Sequence, residues 1–296
     1  MTVRVLVASL RQLRPKQWAK NVFVLAAAVF ARRYTDPQSI ALTLQAFFAF
    51  SFVSSAGYVL NDWLDREADR RHPRKQHRPI ASGALPGAAA AVLGVGSAAA
   101  GFGLAWSVAT TTDSALFPLV LAAYLATTLS YSLYFKHVVI LDVMVLALCY
   151  VWRVVGGAVA IAVTVSPWLF LCTAFISLFI GFNKRRAELS SLGANAGTRA
   201  ALGSYSQAMI LEYQAIVTAN TVLSYMLYAV LGPTPWMVLT VPFVLYGLFR
   251  YIYLVDQAGA GAAPDEDLLR DRPILATVVL YALVAIAVLQ LAPHAA

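Results

Sequence analysis

Charge is scarce in this sequence. Only 12% of its 296 residues are Asp, Glu, Lys or Arg, where a soluble domain carries about a quarter. Cysteine is almost missing: Cys149 and Cys172 both lie inside apolar runs, which excludes a disulfide framework and any zinc-ligand spacing. Histidine occurs four times, at His72, His77, His137 and His294, and none is placed as an obvious general base. Apolar residues fill the chain instead, 60% of the total, with a mean hydropathy of +0.70. Apolar runs of about twenty residues, enough to cross a bilayer, recur along its whole length. A net charge of +8 would suit nucleic acid, but the basic residues sit in the gaps between apolar runs, so no nucleic-acid partner is expected.

Nine spans are read at 17–31, 40–60, 86–108, 115–134, 138–161, 166–182, 210–231, 236–255 and 274–292. They predict an all-α polytopic membrane bundle of about nine transmembrane helices, with residues 1–296 forming a single domain. The basic residues ahead of Val22–Ala31 look superficially like the start of a signal peptide; the membrane-bound remainder makes this stretch a retained first helix. Residues 3–13 are expected to form a short amphipathic helix on the membrane surface. With the N-terminus inside, the inner segments and the spans themselves hold 20 of the 22 Lys and Arg residues, leaving only Arg32 and Arg33 outside. That bias orients the bundle and places the long polar segments 61–85 and 183–209 on the cytoplasmic face of a plasma (inner) membrane.

The first of these segments carries Asn61, Asp62, Asp65 and Asp69. On a helix, residues four apart, and three apart, share a face. Three carboxylates and an amide converging there repel one another unless cations lie between them, and hard oxygen donors of this kind suit Mg²⁺ shared with substrate phosphates. All four are candidate metal ligands. Arg74, Lys75 and Arg78 follow in a Pro-bounded loop and supply partners for phosphate oxygens. A merely solvated helix end is disfavoured, because topology is enforced by Lys and Arg, not by Asp.

The run Asn-Asp-x-x-Asp-x-x-x-Asp after the second span resembles the UbiA-type intramembrane prenyltransferase family, and the resemblance extends from Arg14-Pro-Lys-Gln-Trp-Ala-Lys-Asn21 to Leu269-Arg-Asp-Arg272. It implies a nine-helix bundle, Mg²⁺ and a substrate with a diphosphate leaving group. Family members typically carry a second Asp-rich motif after the sixth helix. This chain has Asn183-Lys184-Arg185-Arg186-Ala187-Glu188 there, so the second site has changed sign and suits an anion. Lys184 and Arg185 become candidate phosphate ligands and Glu188 a candidate catalytic residue; Arg186 points about a hundred degrees away from Arg185 on a helix. The Asn-Lys-Arg-x-x-Glu run resembles the decaprenyl-phosphate phosphoribosyltransferase branch of the family. That resemblance implies transfer of 5-phosphoribose from phosphoribosyl pyrophosphate to a polyprenyl phosphate. Mg²⁺ held by Asp62, Asp65 and Asp69 would neutralise the departing diphosphate, and an anionic acceptor phosphate needs no general base. The rival reading, transfer of a polyprenyl chain from its diphosphate to an aromatic acceptor, shares the first motif and differs at the second.

Several further residues are candidates for substrate binding. Lys16 and Lys20, four apart at the inner end of the first span, either hold a phosphate or anchor the helix beside Trp18. Tyr131, Lys136 and the intramembrane Arg153 are candidates as well, with Asp142 expected to pair with Lys136 or Arg153 if its role is structural. Gly156-Gly157 permits close helix approach. Self-association into a homo-oligomer stays open.

Overall fold

The computed structural model describes residues 3–71, 75–192, 202–232, 234–257 and 270–291. Every regular element among them is helical: α1 (Val3–Leu13), a 3₁₀ segment (Pro15–Leu25) that runs into α2 (Ala26–Phe30), α3 (Pro37–Leu64), α4 (Arg66–Arg71), α5 (Gly87–Thr112), α6 (Leu116–Leu133), α7 (Leu141–Ala160), α8 (Pro167–Leu192), α9 (Gln207–Leu231), α10 (Val241–Gln257) and α11 (Arg272–Leu291). Eight helical stretches among the described residues are long and apolar enough to cross a membrane. Their starts follow local rules. Asp36 caps α3 by accepting from the Gln38 and Ser39 N–H groups, with Pro37 in the first turn, and Ser206 caps α9 through the Met209 N–H; both satisfy donors that a helix start leaves open.

The ninth expected span, 17–31, takes a different form. It is built from eleven residues of 3₁₀ helix followed by five of α-helix. A 3₁₀ helix rises about 2.0 Å per residue, so Pro15–Phe30 extends about 29 Å, close to a hydrocarbon core; α-geometry would give about 24 Å. So long a 3₁₀ run needs support from neighbours, and it has it. The Trp18 indole N–H donates to Ser55 Oγ at 3.1 Å, and the Asn21 amide donates to Ser51 Oγ at 2.9 Å. A Cβ on Gly157 would fall 2.0 Å from the Val24 carbonyl oxygen, so only glycine lets α7 lie against this backbone.

The chain divides into two compact units: Met1–Leu133 with Trp152–Thr164, and Tyr134–Val151 with Val165–Ala296. In the first, α3 is the hub, buried along Ala46, Ala49, Phe50 and Val53, and α1 joins it through a cluster of Ala8, Val59, Ile80, Leu85 and Ala90. As expected, 3–13 is helical, and it exposes Leu6, Val7 and Leu10. In the second unit the core gathers Val143, Phe179, Phe182, Ile210, Leu248 and Tyr251. The expected polar loops begin as helix. α3 continues through Asn61 and Asp62, and α8 runs on past Glu188. The acidic stretch 265–267 and Arg74 lie outside the described residues.

Candidate active site

Asn61, Asp62, Asp65 and Asp69 occupy one side of a helical path that bends once. α3 ends at Leu64, Asp65 has φ −87° and ψ 2°, and α4 begins at Arg66. The hydrogen-bond ladder continues across the bend, Asp65 N–H to Asn61 O at 2.9 Å and Asp69 N–H to Asp65 O at 2.8 Å, so the expected common face survives. Asp62 and Asp69 are buried and Asn61 and Asp65 half-buried, while Trp63, Leu64, Glu67 and Ala68 between them are exposed.

Asp62 is only 1% exposed, and a carboxylate taken this far from water needs partners. It has three. Gln12 Nε2 donates to Oδ2 at 2.8 Å, Arg14 Nη2 reaches both oxygens at 2.8 and 2.6 Å, and Arg78 Nη1 donates to Oδ1 at 2.9 Å. The same Arg78 nitrogen lies 2.7 Å from Asp69 Oδ2. Two buried carboxylates thus converge on one point of positive charge, the place where a divalent cation and its waters fit two carboxylates. Among the described residues no three carboxylate, imidazole or thiolate side chains form a metal-holding group. Arg14 has a left-handed backbone, φ 52°, rare outside glycine. That turn joins α1 to the 3₁₀ segment and aims the guanidinium at Asp62, over the Tyr58 ring at 5.0 Å. Gln12 and Arg14 were not legible as site residues: nothing in the spacing ties positions 12 and 14 to position 62.

Lys75 is half-buried and His77 exposed beside Arg78. Lys16 and Lys20 do not share a face as α-helical spacing suggested. In a 3₁₀ helix residues three apart eclipse, and Lys20 bonds Gln17, three residues back, at 2.5 Å; Lys16 is exposed and Lys20 half-buried. Arg153 is buried and held by Asn21 Oδ1 at 2.6 Å and Tyr124 OH at 3.0 Å. Tyr131 is half-buried.

In the second unit Arg185 is the centre. It is 1% exposed; its Nε lies 2.7 Å from Asp142 Oδ2, and Nη1 pairs with Glu188. The Tyr205 hydroxyl donates to Asp142 Oδ1 at 2.7 Å and accepts from the Ile140 N–H at 2.7 Å. Burial, then the bond to Asp142, pushes the Tyr205 hydroxyl pKa up, so it stays a donor. Asp142 thus pairs with Arg185, a partner the sequence did not suggest; one turn into α7 and the end of α8 are far apart in sequence, and only packing joins them. Lys136, Lys184 and Glu188 are half-buried. Arg186, on the next face of α8, bonds Gln214 Oε1 at 3.3 Å and pairs with Asp256.

Known proteins resemble this chain in sequence and in fold. The chain is 36% identical over 273 residues, 89% of its length and 81% of the relative's, to a protein of Corynebacterium glutamicum named decaprenyl-phosphate phosphoribosyltransferase. It is 35% identical over 275 residues, 88% of its length and 87% of the relative's, to a protein of that name from Mycobacterium tuberculosis. In fold it resembles the UbiA homologue of Archaeoglobus fulgidus solved with GPP and Mg²⁺, with a TM-score of 0.72, 18% identity, and coverage of 96% of this chain and 100% of that one. The model of the UbiA prenyltransferase family matches residues 21–265, and with these relatives it shows that this chain belongs to that family.

Proposed function

We propose that this protein transfers 5-phosphoribose from phosphoribosyl pyrophosphate to a polyprenyl phosphate such as decaprenyl phosphate, releasing diphosphate. The observation that carries the reading is the sign of the sequence run 183–188, where Lys184 and Arg185 stand and Glu188 is the sole acid. Relatives with 32–36% identity over most of the chain, named decaprenyl-phosphate phosphoribosyltransferases, support it. The match to the family model supports treating the chain as one domain.

Asp62, Asp69, Asp65 and Asn61 are the residues that would hold Mg²⁺, which when bound supplies neutralisation of the leaving diphosphate. Arg14 and Arg78 already press on Asp62, and their side chains are 26% and 27% exposed. They turn toward the outer phosphate oxygens as substrate arrives, with Lys75 beside them. Charge stabilisation of the leaving group is the main demand, since the ribosyl centre becomes oxocarbenium-like as it departs. On α8, Lys184 holds a phosphate. Arg185 is locked between Asp142 and Glu188 and fixes where the Glu188 carboxylate stands near the ribosyl group. The acceptor phosphate attacks as an anion. Lys16, Lys20, Tyr131 and Arg153 in the first unit, and Lys136 in the second, are the further substrate-binding candidates. The reaction takes place at the cytoplasmic face of the plasma membrane, where the basic segments lie.

The test is a pair of reactions with purified protein: labelled phosphoribosyl pyrophosphate plus polyprenyl phosphate, and beside it a polyprenyl diphosphate plus hydroxybenzoate. Label entering the lipid in the first alone supports the proposal. Prenylation in the second alone replaces it with the aromatic prenyltransferase reading. Activity should vanish with chelator and return with Mg²⁺. Asp65→Asn, at a half-buried carboxylate, should remove most turnover while leaving thermal unfolding unchanged.

A further inference from the structure

Gln12, in the last turn of α1, is fully buried, at 0% exposure. Its seat follows from the helix period. Ala8 and Gln12 are four apart and share a face, and that face lies on α3: Ala8 packs in one cluster with Val59, and the Gln12 amide meets Asp62, three residues further along α3. A carboxylate only accepts hydrogen bonds, so the amide nitrogen must face it. Nε2 donates to Asp62 Oδ2 at 2.8 Å. The amide oxygen has no such match. Gln12 Oε1 is buried and has no hydrogen-bond partner among the described residues, although Arg14 and Arg78 lie on the same carboxylate. An amide oxygen sealed from water without a donor destabilises a fold, and a methionine would fill the space without that cost.

Asn183 in the second unit also buries an amide oxygen without a partner. Its nitrogen, however, bonds the Phe179 carbonyl one turn back on its own helix. The Gln12 amide is tied instead to the acidic cluster. A planar amide pinned by its nitrogen to Asp62 holds its oxygen at a fixed place beside that carboxylate, and what the oxygen lacks is an O–H or N–H donor. Mg²⁺ brings such donors with it, because it dehydrates reluctantly and keeps several waters when carboxylates bind it. We infer that Gln12 is a further residue of the metal site: Oε1 accepts a hydrogen bond from a water carried by the Mg²⁺ at Asp62, while Nε2 steadies the Asp62 carboxylate. The inference rests on the assignment of Mg²⁺ to Asp62 and Asp69 in the proposed function. It adds a residue from α1, fifty positions away from Asp62, that the Asn61–Asp69 spacing does not contain. Gln12 then sets how tightly the metal is held, not how fast the loaded site turns over.

The experiment uses full-length protein in detergent with Mn²⁺ as the spectroscopic stand-in for Mg²⁺ and inorganic pyrophosphate as the anion, the bound fraction being read from the EPR signal of Mn²⁺ left in solution. Gln12→Met should weaken Mn²⁺ binding roughly tenfold to a hundredfold, the usual loss when a group supporting a metal's ligands is removed. In transfer assays it should need more Mg²⁺ and reach a near-normal kcat once Mg²⁺ saturates. Gln12→Glu keeps an acceptor and gives it charge. It should bind Mn²⁺ at least as tightly as the unaltered protein, and Mg²⁺ with pyrophosphate should raise its Tm by more. A merely structural Gln12 gives the opposite sign, because glutamate loses the Nε2 donor and repels Asp62. Weaker Mn²⁺ binding in both variants, or unchanged binding in Gln12→Met, therefore overturns the inference. So does a loss seen with phosphoribosyl pyrophosphate and not with pyrophosphate, which would make a sugar hydroxyl the donor. If Gln12→Met fails to fold, the sign of Gln12→Glu decides. Mn²⁺ binding that survives Asp62→Asn overturns the metal assignment and this inference with it. Gln12-dependent Mn²⁺ binding without phosphoribosyl transfer sinks the proposed reaction and supports the site.

Discussion

Two buried charges with opposite environments organise the two units. At Asp62 a carboxylate is central and cations surround it: Arg14 and Arg78, with the Gln12 amide. At Arg185 a guanidinium is central and acids surround it: Asp142 and Glu188, with Tyr205 behind Asp142. Both obey the rule that a charge removed from water must be paired. They differ in how tightly the partners are held. The cations around Asp62 are each about a quarter exposed, so they can swing out and leave the carboxylates to another cation. Arg185 and Asp142 are 1% and 2% exposed and cannot exchange partners without unfolding the helix ends. In the proposed mechanism the first centre is re-partnered by a ligand. The second is a fixed strut, with the half-buried Lys184 beside it.

The comparison breaks most visibly at Asp62. Asp62→Asn should lower phosphoribosyl transfer by more than about a hundredfold and also destabilise the protein, since two guanidinia would be left facing an amide; losing one side of a buried pair costs about 3–5 kcal/mol. Activity and thermal unfolding in detergent read both, and a variant normal in either would show that Asp62 is not the centre described. Arg185→Met should destabilise by a similar amount, about 3–5 kcal/mol, through the orphaned Asp142. Adding Asp142→Asn to it should recover part of that loss. Strict additivity in this double-mutant cycle would mean the strut is no strut.

A smaller effect sharpens the contrast between fixed and exchangeable residues. Lys184→Ala should raise KM for a phosphorylated substrate roughly tenfold to a hundredfold, one charge-assisted contact, with unfolding unchanged. Lys184→Asp should stop transfer, because a carboxylate then faces an anion; near-normal rates there would reduce the basic cluster to a topology signal. The smallest effect belongs to Asp271, at the start of α11. The hydrogen bond from Arg250 holds its carboxyl below the usual value. A depressed pKa stabilises the fold fully above the unfolded carboxylate value of about 3.9 and loses that contribution as pH falls through the lower, folded value. Stability from this pair should therefore be flat from about pH 5 to pH 8. Asp271→Asn should cost less than about 1 kcal/mol at pH 7, as partly exposed pairs do, and progressively less as pH falls through the folded value. A pH-dependent difference within the neutral range would contradict the assignment.

Hydropathy and spacing alone determined a good deal here. Apolar runs long enough for a bilayer fix a helical membrane protein, because in lipid a single continuous span satisfies its own backbone hydrogen bonds only as a helix. Four-residue spacing gathered Asn61, Asp65 and Asp69, with Asp62 beside them, on one face, and the helical ladder kept it so through the bend at Asp65. The change of sign at Lys184 and Arg185 was equally plain in the sequence. Tertiary structure decided who partners whom. Periodicity speaks only of neighbours on one helix, so it could not join Arg14 to Asp62 across 48 positions or Tyr205 to Asp142 across 63. It also could not choose 3₁₀ over α-geometry for Pro15–Leu25, since the two differ little in local energy and the Ser51, Ser55 and Gly157 contacts tip the balance. Nor could it tell that Arg185, adjacent in sequence to Lys184, would be sealed between two acids while Lys184 stays half open. A hundred degrees of rotation per residue separates them, and which side of α8 meets Asp142 is settled only when the helices pack.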